Sequence, residues 1–336
     1  MYKIKQLPED FIVREISSVN SNDNGQYAYY ILKKTNYTTI DALHVLSEKF
    51  RISLKNIGFA GNKDRNAVTE QKISIFRGSK NFENIGLNNI KLEHLGSGKI
   101  PISLGDLEGN EFTITIRNLE QEEIEKTKEL ENKALNVANL YGPQRFSRNN
   151  HLVGKAIIKK DFKKAVELIL ENKGFTEDKI KLYLKDNKND YIGALRLIPL
   201  KTLRLFVHSY QSFLFNKIVK EYLSFDRKSK NIKIPIIGFN FEINETKDST
   251  LKNIIKKTLE EEKINQRDFI TSQIPELASE GGFRDLFFEL KFKISGIEKD
   301  ELSKNKKKIK IRFTLPKSCY ATVALEFLFQ SQPQLR

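Results

Sequence analysis

Apolar and polar positions alternate clearly in several places along this chain. The segment QYAYYILKKT (26–35) is rich in aromatic and β-branched residues and predicts a strand. TTIDALHVLSEKF (38–50) predicts a helix, with Leu43, Leu46 and Phe50 on one face and Thr38 or Thr39 as its cap. NIGFA and QKISIF predict two strands flanking a polar loop, Gly61 to Gln71. NEFTITIRN (110–118) sets Phe112, Ile114 and Ile116 against Thr113, Thr115 and Arg117, the period of a half-buried strand. EEIEKTKELENKALNVANL carries apolar spacing through Ile124, Thr127, Leu130, Ala134 and Val137, and predicts one long helix halted by Gly142-Pro143.

Beyond that stop the texture becomes helical. DFKKAVELILENKG (161–174) and LRLFVHSYQSFLFNKIVKEYL (203–223) predict helices, the second with a stripe at Phe206, Tyr210, Phe213 or Leu214, and Lys217-Ile218. The polar run SFDRKSKN separates them from short elements reaching to about residue 290. Alternation returns in KKKIKIRFTLP (306–316), and ATVALEFLF predicts a closing helix. This order suggests a domain interrupted by an insertion, its last strand rejoining the first sheet. No internal repeat is visible.

Composition narrows the class. With 336 residues, 39% hydrophobic and 30% charged, the chain can build one large or two ordinary domains. No apolar run approaches the roughly 18 residues of a membrane span, and the start lacks a signal-peptide core, so a cytoplasmic protein with no membrane partner is expected. One cysteine, Cys319, excludes an internal disulfide. The net charge of +15 points to a polyanionic partner, although lysine outnumbers arginine 44 to 14, as a codon bias would also produce. Arg145 and Arg148 form the closest arginine pair and suit phosphates.

Several chemistries fail on spacing. NKD (62–64) lacks the intervening residue of a guanine-reading Asn-Lys-x-Asp motif. GSGKI (96–100) has Glu93 and Ile100 where a phosphate loop needs glycine and Ser/Thr. The four histidines show no metal-ligand spacing, so no metal is expected, and no Gly-x-Ser-x-Gly elbow occurs. What remains is Asp64, set between Lys63 and Arg65, whose cations favour its charged form. An ionised carboxylate beside a sugar can act on an anomeric carbon. Without a second acid, it suits a reaction in which a base is detached and returned without consuming water.

GFAGNKDRNAVTEQ resembles the signature of the TruD family of pseudouridine synthases, Gly-x-x-Gly-x-Lys-Asp-x-x-Ala-x-Thr-x-Gln. Further blocks are similar to that family in the same order: KQLPEDFIVRE (5–15), GDLEGNEF (105–112), NLYGPQRFSRNN (139–150), SYQSFLFN (209–216) and LPKSCYAT (315–322). Two departures occur. Ser147 stands where the family usually has glycine, and Ser318-Cys319 where Gly-Ser is common.

The resemblance implies an α+β fold: an α/β-type catalytic domain with a mixed, mainly antiparallel sheet at 1–140 and 291–336, interrupted by an insertion domain at 141–290. It implies conversion of uridine to pseudouridine in tRNA, typically at position 13, without cofactor or metal. Asp64 would act on C1′ of the flipped base, Lys5 would lie near it, and Asn110 and Phe112 would hold and stack the uracil. Lys63, Arg145 and Arg148 complete the expected substrate contacts, and a monomer is expected. The alternatives are the same chemistry on ribosomal or messenger RNA, or a non-catalytic RNA-binding protein on this scaffold, against which the intact Asp64 argues.

Overall fold

In the computed structural model of the protein, residues 1–21, 24–84, 86–225 and 231–329 are described. The chain divides into two compact units, the first built from Met1–Val137 together with the segment from Phe288 onward, the second from Ala138–Phe287. In chain order, unit 1 begins with β1 (Phe11–Ile16), β2 (Tyr27–Thr35), α1 (Thr39–Phe50), β3 (Ile57–Phe59), β4 (Val68–Phe76), β5 (Ile90–Gly98), β6 (Gly109–Leu119), α2 (Gln121–Leu130) and β7 (Leu135–Ala138). Unit 2 carries α3 (Asn150–Ile158), α4 (Phe162–Leu170), α5 (Phe175–Asp186), α6 (Tyr191–Arg196), α7 (Leu200–Phe225), β8 (Lys233–Ile236), α8 (Ser249–Glu262) and β9 (Gly282–Asp285). The chain then returns through β10 (Phe287–Leu290), β11 (Phe292–Lys299), β12 (Lys307–Pro316) and α9 (Ala321–Phe329).

The main sheet runs β11-β12-β6-β1-β4-β2-β5, with β3 also paired to β4. Only β1 and β4 run parallel; the other ladders are antiparallel, as expected of a mixed sheet. The late strand β12 does rejoin the first sheet, lying between β11 and β6. Helix α1 forms where its cap predicts. Thr38 Oγ1 accepts from the Asp41 amide, and the Asp41 carboxylate accepts from the Thr38 amide. Its apolar face, Ala42, Leu43 and Leu46, packs on Tyr30, Leu32, Ile73, Ile75 and Ile90 of the sheet. At roughly 1.5–3 kcal/mol for each fully buried Leu or Ile, this contact fixes α1 over β2 and β4.

Two expectations need correction. The long helix expected across 122–140 ends at Leu130, and residues 135–138 form a strand paired to β10. The apolar spacing did continue, but Asn132 takes a left-handed φ of 60° and its amide donates to the carbonyl of Phe292. The Glu131 carboxylate accepts from the Ile294 amide, so tertiary partners replace the helical ones. Second, β6 is buried on both faces from Ile114 to Arg117 rather than half-buried. Arg117 achieves this with a bidentate pair to Asp10 and a second bond to Asp300.

In unit 2, α7 is buried on most sides, through Leu203, Val207, Tyr210, Leu214, Phe215, Ile218 and Tyr222. Helix α3 approaches it at Gly154, where a Cβ would stand 2.0 Å from the carbonyl oxygen of Phe206. Most of the polar run expected after α7 falls at 226–230, outside the described residues. Among the described residues, no helix is long and apolar enough to cross a membrane.

Both serines that depart from the family glycines adopt left-handed backbone, Ser147 at φ 45° and Ser318 at φ 70°. Such a conformation costs a non-glycine residue about 1–2 kcal/mol. Glycine would remove that strain but lose about 0.5–1 kcal/mol in unfolded-state entropy. Ser147→Gly and Ser318→Gly are therefore expected to stabilise by about 0.5 kcal/mol each, raising the melting temperature by about 0.7 °C each in calorimetry. A lowered melting temperature would show that the serine side chains hold these turns.

Candidate active site

Asp64 lies in the loop between β3 and β4, and the loop is held by a buried relay of hydrogen bonds. Gln71 of β4 donates to the Gly61 carbonyl at 3.0 Å and accepts from Thr39 Oγ1 at 2.8 Å. Thr39 Oγ1 in turn accepts from the Lys63 amide at 2.8 Å. Lys34, fully buried on β2, donates its ammonium to the carbonyls of Tyr37 at 2.6 Å and Asp64 at 3.0 Å. The backbone of Asp64 is thus fixed, while its carboxylate stays 47% exposed.

The cations flanking Asp64 in sequence are not its partners in space. Lys63 turns inward and pairs with Glu15 at 2.6 Å, with side chains 7% and 0% exposed. A buried ammonium is usually matched by such a counter-charge. Arg65 reaches outward to Asp41 at 2.7 Å. The cation that meets the Asp64 carboxylate is Lys5, 2.5 Å away, as the resemblance implied. Lys5 holds a left-handed φ of 56°, its carbonyl accepts from Asn66 Nδ2 at 2.8 Å, and its ammonium lies 4.2 Å above the Phe11 ring. The segment bearing it is tied to the sheet by paired backbone bonds between Lys3 and Arg117.

From Lys5 an aromatic row crosses three strands. Phe11 meets Phe112 edge-on at 6.1 Å between ring centroids, and Phe112 stacks on Phe313 at 5.4 Å. Phe112 is 7% exposed, so most of its ring is committed to these neighbours. Two residues along β6, Asn110 pairs in register with Glu15 of β1 and Leu315 of β12. Its buried Oδ1 has no hydrogen-bond partner among the described residues. A buried acceptor left empty is costly unless something else fills it.

Arg145 and Arg148 belong to unit 2. Arg145 Nε donates to Ser212 Oγ of α7 at 3.1 Å, and Arg148 is exposed. Among the described residues neither forms an ion pair with a carboxylate. Partial desolvation, then the cations Arg145 and Arg204, push the His208 pKa below its ordinary value, marking this as an electropositive part of the unit. Arg204 and His208 were missed from sequence, as were Lys34, Glu15 and Thr39 near Asp64. Gln71 was seen only as part of a motif. Lys34 had one usable signal: an inward position on a strand, where a lysine needs a buried acceptor.

The family model for tRNA pseudouridine synthase D (TruD) matches residues 2–182, 176–227 and 223–327. A protein named probable tRNA pseudouridine synthase D from Methanosarcina mazei is 30% identical, over 98% of this chain and 94% of its own length. The tRNA pseudouridine synthase D of Aquifex aeolicus is 30% identical over 98% of both chains. A relative from Thermococcus sibiricus is 32% identical over 95% of this chain and 93% of its own. The crystal structure of a protein named putative tRNA pseudouridine synthase D (TruD) from Methanosarcina mazei superposes with a TM-score of 0.75 at 28% identity, covering 99% of this chain and 94% of that one. With the signature loop, its sheet and nearly the whole chain accounted for, this protein belongs to the TruD family of tRNA pseudouridine synthases.

Proposed function

We propose that this protein isomerises uridine to pseudouridine in tRNA, at position 13, with Asp64 as the nucleophile. One observation carries the reading: a fixed backbone presents a half-exposed carboxylate paired, among the described residues, to a single cation, Lys5. The target base must first leave its stack, at a cost of a few kcal/mol. An Asp64 oxygen then bonds to C1′ as the C1′–N1 bond breaks, and the electron pair leaves with the uracil ring. Lys5, released from a carboxylate that has become an ester, offers its charge to that anion. The uracil turns, C5 bonds to C1′, and the carboxylate departs. Loss of the C5 proton and protonation of N1 complete an isomerisation with no water consumed and no redox change.

Asn110 Oδ1, buried and without a partner among the described residues, suits the N3–H donor of a uracil. Phe112 would meet the base through the small exposed part of its ring. Lys63, held by Glu15, supports the loop rather than reaching the substrate in this reading. The protein acts as a monomer in the cytoplasm, with no metal or cofactor in the chemistry.

The test is incubation of the purified protein with tRNA and chemical mapping of pseudouridine. Product at position 13 supports the reading in full. Product only in ribosomal or messenger RNA would keep the chemistry and change the substrate. Tight RNA binding with no product would make the protein a binding module.

Binding itself is expected to be electrostatic, with log affinity falling linearly in log salt. Arg145→Ala or Arg148→Ala should weaken tRNA binding and reduce the slope by about one each. A slope unchanged in both variants would remove these arginines from the phosphate contacts.

A further inference from the structure

We propose that Lys34 is a positioning residue for the reaction, its buried ammonium holding the Asp64 backbone and supplying a fixed cation behind the nucleophile. The inference rests on the pseudouridine synthase reading above and deepens it. Lys34 is 1% exposed, and both of its acceptors are main-chain carbonyls, Tyr37 at 2.6 Å and Asp64 at 3.0 Å. A buried lysine is usually matched by a carboxylate, because an isolated charge in the interior is costly. Here no carboxylate touches the ammonium among the described residues. Its two acceptors join the end of the β2–α1 turn to the catalytic loop, so the charge clamps one to the other.

The surroundings favour a charge that can be lost. Asp64 and Lys63 face Lys34 from the loop and Asp41 from α1. Across the ladders, its neighbours Thr69 and Ile90 carry no charge. Burial pushes the Lys34 pKa down to about 8; Asp64 and Asp41 oppose that shift and Lys63 adds to it. In the unfolded chain lysine keeps its proton to about 10.5. Between those two values the unfolded state binds more protons, so the stability contributed by this group rises with pH. Catalysis should move the other way, because deprotonation removes the cation and weakens the clamp.

The experiment is single-turnover pseudouridine formation by the full chain, saturating over a tRNA transcript, from pH 6 to pH 10, with melting temperatures at each pH. Product formed at pH 7 by the wild type tests the underlying activity on its own. For Lys34, the wild-type rate is expected to fall about tenfold per pH unit above about pH 8 while the protein stays folded. Lys34→Met is expected to be at least a hundredfold slower at pH 7, with tRNA affinity within threefold and no alkaline fall. A Lys34→Met rate within threefold of wild type, with the same alkaline fall, would overturn the proposal. If Lys34→Met does not fold, the wild type decides. A falling rate at steady or rising melting temperature between pH 8 and 10 supports the proposal. A flat rate, or one that falls only as the protein unfolds, overturns it.

Discussion

Asp64→Asn should abolish turnover while leaving the fold and tRNA affinity almost unchanged. The substitution keeps size and shape at a side chain that is half exposed, and the loop is held through backbone atoms and through Gln71, Thr39 and Lys34. Only the charge and the nucleophilic oxygen are lost. An amide cannot form the C1′ ester, so the rate should drop at least a thousandfold, about 4 kcal/mol in the barrier. The measurement is single-turnover pseudouridine formation beside tRNA affinity and melting temperature. Affinity within threefold and an unchanged melt would place the defect in the chemical step. Retained product formation by the purified variant would falsify the assignment of Asp64.

The second large effect concerns Lys63, which the sequence reading set at the substrate and the structure buries against Glu15. Lys63→Met leaves the Glu15 carboxylate without its counter-charge, and removing one member of a buried pair costs about 3–5 kcal/mol. For a chain of 336 residues the melting temperature should fall by about 4–7 °C. Replacing both, as Lys63→Met with Glu15→Met, removes the unpaired charge and should restore most of the stability, since apolar substitutes for buried pairs are often neutral or better. If the pair only supports the loop, the rate should return with the stability. A double variant that melts normally but stays a hundredfold slow would return Lys63 to the substrate.

The difference between these two residues shows what the sequence could convey. The placement of Asp64 was legible because its neighbourhood is local: a carboxylate in a polar loop between two strands, within a recognisable motif. Its actual counter-ion lies 59 positions earlier in the chain, and the family resemblance, not the charge pattern, pointed to Lys5. Adjacent residues on a loop point in different directions, so Lys63 and Arg65 found Glu15 and Asp41 instead. Lys34 was illegible for a related reason. In LKK, period alone assigns one lysine inward, but its acceptors are carbonyls, which every residue has. Strands β2 and β12 and helix α1 were readable from period and capping, which are properties of short windows. The helix expected through Val137 failed because Asn132 and Glu131 make bonds to β11 that lie about 160 residues away in sequence.

The position of β12 also bears on the order in which the protein can be made. This strand sits between β11 and β6 and pairs residues roughly 200 positions apart, such as Phe112 with Phe313. A nascent chain that has emerged only through β6 has the carboxylate and its lysine but no Phe313 against which Phe112 can stack. The helical unit at 138–287, which has a hydrophobic core of its own, can form while the sheet still waits for its late strand. Closing such long-range pairs is slow. The late β11–β12 hairpin therefore docks onto the open β6 edge of a sheet already formed, and chaperone demand should concentrate in the interval before β12 leaves the ribosome.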